Sequence, residues 1–241
     1  MILFFKLLLA HLIGDFTLQS DKSVADKEVK KIKSPYLYAH VLIHLILTVV
    51  AVGFQSKYWL GVVVVVVAHY LIDLFKLYVQ NEKNQGRYFI LDQAMHVGVI
   101  ALVVHAYKPF PLKNLTAFGS KILLLVICLV TLTYVVSVAM QVFFSKWNND
   151  FQEKGEESLQ NAGKYIGMLE RLFVFVFVAT NHWQAIGFLI AAKSVFRFGD
   201  LSRAKDRKLT EYILIGTLLS VGSAILVGLV YLFLSKLPSF K

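Results

Sequence analysis

The stretch Leu7–Gln19, "LLLAHLIGDFTLQ", is apolar enough to sit in lipid, yet it carries His11 and Asp15 one helical turn apart. An ionisable side chain at membrane depth costs at least about 2.5–3.5 kcal/mol. Two of them on one helix face need compensation from elsewhere in the chain.

The composition points to a bilayer setting. Of 241 residues, 57% are hydrophobic and 17% charged, against about half and about a quarter in soluble domains. The single cysteine, Cys128, excludes a disulfide framework. The net charge of +10 is accounted for by the Lys and Arg excess of cytoplasmic loops. No basic–aromatic groove accompanies it, so nucleic acid is not an expected partner. The N-terminus lacks a basic n-region and an A-x-A site, and is not read as a signal peptide.

Crossing about 30 Å of hydrocarbon takes about 20 helical residues. Eight stretches approach that length: Ile2–Leu18, Tyr36–Phe54, Tyr58–Val79, Tyr88–Tyr107, Phe118–Phe144, Tyr165–Thr180, Trp183–Phe198 and Glu211–Leu234. The third contains the β-branched run Val62–Val67, but a lipid-embedded segment must satisfy its own backbone, so helix is expected. The sixth and seventh are short, meet at Asn181-His182, and are open to a re-entrant hairpin. The expected fold is all-α and polytopic, with about eight membrane helices in two four-helix halves, 1–110 and 111–241. The polar stretch Ser145–Lys164 lies between the fifth and sixth helices. The loops after the first, third, fifth and seventh segments hold sixteen Lys and Arg, with Lys76 and Arg197 counted at their segments' ends, against seven on the other side, with Lys6 and Lys121 included. The richer side is cytoplasmic by the positive-inside rule, which puts both termini outside.

The opening pair has company. The second segment carries His40 and His44, the third His69 and Asp73, the fourth Asp92 and His96. Each pair is spaced i,i+4, on one helix face and about 6 Å apart. Allowing for alternating direction, all four lie toward the cytoplasmic side. His11, His44, His69 and His96 form a deeper layer, and Asp15, His40, Asp73 and Asp92 a shallower one. Three aspartates converging in a low dielectric would repel one another unless a cation joined them. Imidazole with carboxylate suits zinc, in one or two ions, or iron or manganese. Inward-facing ligand pairs on the helices of a bundle are also how di-metal carboxylate sites are built. A metal-free proton relay or polar packing network is the alternative. Bis-histidine haem ligation ranks last, because it leaves the aspartates without a role.

Lys76 shares the face of His69 and Asp73, either to stabilise an oxyanion or to snorkel to the surface. Gln19 is a helix-end polar residue or an outer donor to Asp15, and His105 and His182 read as structural. The second half has its own polar set, Glu170, Arg171, Lys193, Arg197 and Glu211. It is expected to form an ion-paired lock between helices or an anion-binding pocket. Gly163, Gly167, Gly216 and Ser220 are small residues suited to close helix contact.

The motifs "AHLIGDFTLQ", "AHVLIHLILT", "HYLIDLFK", "LDQAMH", "GKYIGMLERL", "AAKSVFRF" and "EYILIGTLLS" together resemble a bacterial integral-membrane family, domain-of-unknown-function family 3307. The resemblance spans nearly the whole chain apart from Ser145–Gln160. It implies a bacterial inner-membrane protein with a His/Asp signature in its first half, and it supplies no activity.

From the residues, the leading expectation is a membrane-embedded metal-dependent hydrolase open to the cytoplasm or inner leaflet. Asp15 or Asp92 would be the general base, Lys76 the oxyanion stabiliser, and the other His and Asp the metal ligands. The bilayer is the expected partner, and a lipid-like or anionic small molecule the expected substrate, with Arg171, Lys193 and Arg197 available to an anionic head group. A metal-ion or proton transporter or channel using the same cluster is the runner-up. A membrane scaffold or regulator with a structural metal is the third expectation.

Overall fold

The computed structural model describes residues 2–81, 84–107, 117–145, 162–204 and 207–236, with the side chains at 117–118, 196–204 and 207–209 left aside. Residues 146–161 of the polar stretch, and the Arg197 side chain, therefore lie outside the described set. All secondary structure among the described residues is helical.

The chain forms two compact units that divide between Val130 and Thr131. The first contains α1 (Ile2–Leu12) with a π turn at Ile13–Thr17, α2 (Asp21–Lys30), α3 (Pro35–Ala51), α4 (Trp59–Val79), α5 (Gln85–Tyr107) and α6 (Ala117–Val130). The second contains a π turn at Thr131–Val135, α7 (Val136–Phe144), α8 (Ala162–Ala179), α9 (Trp183–Ala204) and α10 (Arg207–Lys236). The run Val62–Val67 lies inside α4, as internal backbone satisfaction requires.

Helix α2 is an addition to the sequence reading, which leaves Asp21–Ser34 as a loop. Ser20 caps it, its Oγ accepting from the Ser23 N–H at 3.3 Å. Asp21 in the first turn and Lys27 and Lys30 in the last match the helix dipole. The helical stretch Asp21–Lys33 leaves the axis of Ile2–Thr17 at 85°. Asp26 pairs with Lys30, and Ser34 Oγ donates to it at 2.6 Å. These partners hold its carboxyl below the usual range and fasten α2 to the start of α3, where Pro35 occupies the first turn.

Polarity in this protein runs outward to inward, from apolar to polar. Leu42, Ile46, Val63, Ile90 and Leu102 of the first unit are exposed, as are Phe173, Phe188, Leu226 and Phe233 of the second, while the His/Asp pairs and Arg171 are buried. That pattern suits helices bathed in lipid, where intramembrane charges turn inward. An apolar core of Leu7, Val52, Val62, Ile100 and Val104 joins α1, α3, α4 and α5.

The expected number of crossings is larger than the helices support. Among the described residues four helices, Ser56–Val79, Gln85–Tyr107, Gly119–Phe144 and Thr210–Lys236, are long and apolar enough to cross a membrane, and the bent pair Ile2–Thr17 with Asp21–Lys33 brings the number to at most five. Helix α3 has 17 residues, about 26 Å of rise against a core of about 30 Å. Lys164, Glu170 and Arg171 interrupt the apolar run of α8, and Lys193 interrupts that of α9.

In the second unit α8 and α10 pack closely at Gly228, where an added Cβ would come within 2.7 Å of Val178 Cγ1. Alanine normally gains about 0.5–1 kcal/mol over glycine within a helix. Gly228→Ala is nonetheless expected to destabilise by about 1–3 kcal/mol through overpacking. Gly187→Ala, whose Cβ meets nothing within 4 Å, is expected to hold or raise the melting temperature. Thermal melts of the two purified variants check this.

Candidate metal centre

The four helices bring all eight His and Asp side chains into one nest, and seven of the eight are classed as buried, with Asp15 just short of that. Asp15 is its hub. It sits in the π turn that ends α1, a local widening often found at functional sites. Its Oδ1 lies 3.3 Å from His40 Nε2, 2.9 Å from His44 Nε2 and 3.6 Å from His69 Nε2. Its Oδ2 lies 3.7 Å from His11 Nε2 and accepts from Gln93 Nε2 at 3.0 Å. The approach depends on Gly14, because a Cβ there would run into the His44 imidazole.

Asp73 joins a second group. Its Oδ2 is 3.4 Å from His40 Nε2 and 3.8 Å from His69 Nε2, and its Oδ1 is 3.7 Å from His96 Nε2. Asp92, 2% exposed, accepts from Lys76 Nζ at 2.9 Å and from Gln93 Nε2 at 3.1 Å. On the deeper side the rings of His44 and His69 stack at 3.7 Å, and those of His11 and His96 at 4.9 Å. These four rings line one small cavity of about 10 Å³ with Leu7, Val65 and Ile100.

Two features test the fit of a metal ion. The first is the orientation of the donors. His96 Nδ1 lies 2.9 Å from the Asp92 carbonyl, which only an N–H can face. The proton is thereby assigned to Nδ1, leaving a lone pair at Nε2. Metal-ligating histidines characteristically donate their other N–H in this manner. His40 and His69 point Nε2 at Nε2 across 3.2 Å. Tetrahedral sites with metal bonds of about 2.0–2.1 Å have ligand atoms about 3.3 Å apart, and the Asp15–His40 and His40–His69 separations match that edge.

The second feature is a deficit of partners. Five buried side-chain atoms lack a hydrogen-bond partner among the described residues, and four belong to this nest: Asp15 Oδ1, His44 Nε2, Asp92 Oδ1 and His96 Nε2. The fifth is Gln80 Oε1. Asp15 Oδ1 and His44 Nε2 approach to 2.9 Å without the alignment of a hydrogen bond. Orphaned buried polar atoms each cost about 1–3 kcal/mol, and a cation between them would satisfy several together. Three overlapping groups could hold an ion: His11, Asp15, His44 and His69; His40, His69 and Asp73; Asp15, Asp92 and His96.

Sequence reasoning passes over three participants. Gln93 bridges His11, Asp15 and Asp92, the outer-donor role considered for Gln19, which lies half-buried beyond the π turn. Lys27 of α2 is buried, with Nζ 3.8 Å from Asp73 Oδ2. Gly14 is the third. Gln93 follows Asp92 directly, a visible cue, whereas Lys27 arrives only through the fold of α2. His105 and His182 are exposed and outside the nest, His182 Nδ1 lying 2.9 Å from Thr180 Oγ1.

The polar set of the second unit is arranged differently from a single lock. Lys193 pairs with Glu170 at 2.6 Å. Arg171 is instead held by neutral oxygens, Nε donating to the Leu132 carbonyl at 2.6 Å, Nη2 to Ser137 Oγ at 2.6 Å and Nη1 to Ser220 Oγ at 3.3 Å. Glu211 is exposed at the start of α10.

These observations define a helical protein with a buried His/Asp nest inside apolar helices. The chain belongs to the family described as "Protein of unknown function (DUF3307)", whose model matches residues 3–126. All eight His and Asp positions fall in that stretch, and the motifs quoted from the second half fall beyond it. No curated protein and no solved structure matches the chain.

The Lys76–Asp92 pair generates a direct expectation. Lys76→Met strands a carboxylate that is 2% exposed, at a cost on the order of 3 kcal/mol. Lys76→Met with Asp92→Leu is expected to regain most of that loss, as read from melting temperatures of the two variants.

Proposed function

We propose that this protein is a membrane-embedded, metal-dependent hydrolase whose first unit holds one or two divalent transition-metal ions, zinc foremost. The observation that carries the metal reading is the convergence of His and Asp ligand atoms within 4.8 Å of one another in three overlapping groups. Iron and manganese suit the same ligands. A metal of this kind lowers the pKa of bound water from 15.7 toward about 7, making hydroxide available at neutral pH.

The residues of the chain divide into roles accordingly. Eight His and Asp exceed the six ligands that two catalytic sites of three protein ligands each would take, which leaves a carboxylate, Asp15 or Asp92, for proton transfer. Lys76, paired with Asp92, is the cation available to a developing oxyanion, and Lys27 adds a second cation beside Asp73. The substrate class is a lipid-like or anionic small molecule entering from the Lys-rich end. That end is assigned to the cytoplasm of a bacterial inner membrane, on the cluster Lys22, Lys27, Lys30, Lys31 and Lys33 beside it.

A second reading, an ion transporter, is favoured by the enclosure. The cavity beside the rings, about 10 Å³, has room for about one water, and the three ligand groups share residues in a way that would let an ion step between them.

Elemental analysis of protein purified without chelator is expected to find at least one transition metal per chain. His44→Ala or His69→Ala should remove most of it, and His105→Ala should not. Because the ligands must be deprotonated, metal should be released as pH is lowered into the acid range. Substoichiometric metal, together with a melting temperature indifferent to added zinc, would overturn the metal reading in favour of a proton relay. Zinc flux into vesicles carrying the protein, abolished by His69→Ala, would replace the hydrolase with the transporter.

A further inference from the structure

The second unit contains a cavity of about 810 Å³, within the range of about 300–1,000 Å³ typical of small-molecule sites. It lies among α7, α8, α9 and α10, and every residue lining it belongs to this unit. Its ionisable lining is three basic side chains, Lys164, Arg171 and Lys193, against one carboxylate, Glu170. Glu170 is already engaged by Lys193 at 2.6 Å.

Arg171 is the unusual member. It is 4% exposed, and the Leu132 carbonyl and the Ser137 and Ser220 hydroxyls that hold it are neutral. These oxygens satisfy N–H donors and fix the guanidinium plane, and the one carboxylate near enough to attract it, Glu170, is shared with Lys193. A buried cation costs several kcal/mol unless an anion joins it. A planar, fixed guanidinium is also the side chain best matched to phosphate. The remainder of the wall is apolar, with Met140, Phe144, Ile166, Leu189 and Ile213, and glycines at 163, 167 and 216 leave space where side chains would stand. An added Cβ at Gly163 would meet nothing within 4 Å.

We infer that this cavity binds the anionic head of a phosphate-bearing membrane lipid, Arg171 and Lys164 taking the phosphate and the apolar wall taking the start of the acyl chains. The site is independent of the metal centre. Water-soluble phosphates share the head-group chemistry. The lipid is favoured because the wall is largely apolar and the helices that form it expose apolar side chains such as Phe173, Phe188 and Leu218.

The test uses the full chain in detergent, titrated with phosphatidylglycerol, with phosphatidylcholine or with inorganic phosphate. Native mass spectrometry and melting temperature are the readouts. Phosphatidylglycerol should bind and raise the melting temperature more than phosphatidylcholine, whose choline cancels the charge of its phosphate. Gly163→Leu, which fills the cavity, should weaken phosphatidylglycerol binding by about tenfold or more. Lys164→Gln, at an exposed position, should weaken it less and leave the melting temperature of the lipid-free protein unchanged. Equal binding of the two lipids, or wild-type affinity in Gly163→Leu, overturns the proposal. Inorganic phosphate reproducing the whole shift overturns the lipid as its source.

Discussion

A carboxylate held among imidazoles inside an apolar bundle constrains everything around it in the first unit. Asp15 has His40, His44 and His69 against one oxygen and His11 and Gln93 against the other. In a low dielectric each of these groups is expensive alone. The helices can therefore close only in arrangements that bring the pairs together. Gly14 permits the approach to α3, the π turn redirects Asp15 toward the neighbouring helices, and α2 delivers Lys27. Even so, two ammonium groups oppose three carboxylates, and four polar atoms lack partners. This donor set is one that could hold a cation.

The second unit meets a related problem with other means. Arg171 is buried on α8 and is met by a carbonyl from the π turn and by two serines. In both units a break in regular α-helix lies where a buried charge must be served. Widening the helix frees or redirects backbone groups that a straight helix would spend on itself. The outward face of each unit is apolar, so the polar groups have one another, and whatever the cavities bind, as partners.

The first-unit nest was legible because helical geometry turns i,i+4 spacing into a shared face, and four such pairs at matching depth converge in any bundle. Backbone satisfaction in lipid likewise made the valine-rich run of α4 readable as helix. Crossing count was harder to read, because apolar length alone does not tell a full crossing from α3, α8 and α9, which are short or interrupted. Helix α2 carries mostly charge, and no apolar stripe announced that Lys27 would be buried. Arg171 looked as though it wanted a carboxylate. Its actual partners are a backbone carbonyl and hydroxyls, which a sequence pattern does not mark.

X-ray absorption at the zinc edge, on protein purified without chelator and loaded to one equivalent, tests the central claim most directly. A His/Asp centre predicts nitrogen and oxygen neighbours at about 2.0–2.1 Å with the outer-shell scattering of two or more imidazole rings, lost or reduced in His69→Ala. A shell of oxygens without imidazole scattering, unchanged by that substitution, would contradict the account.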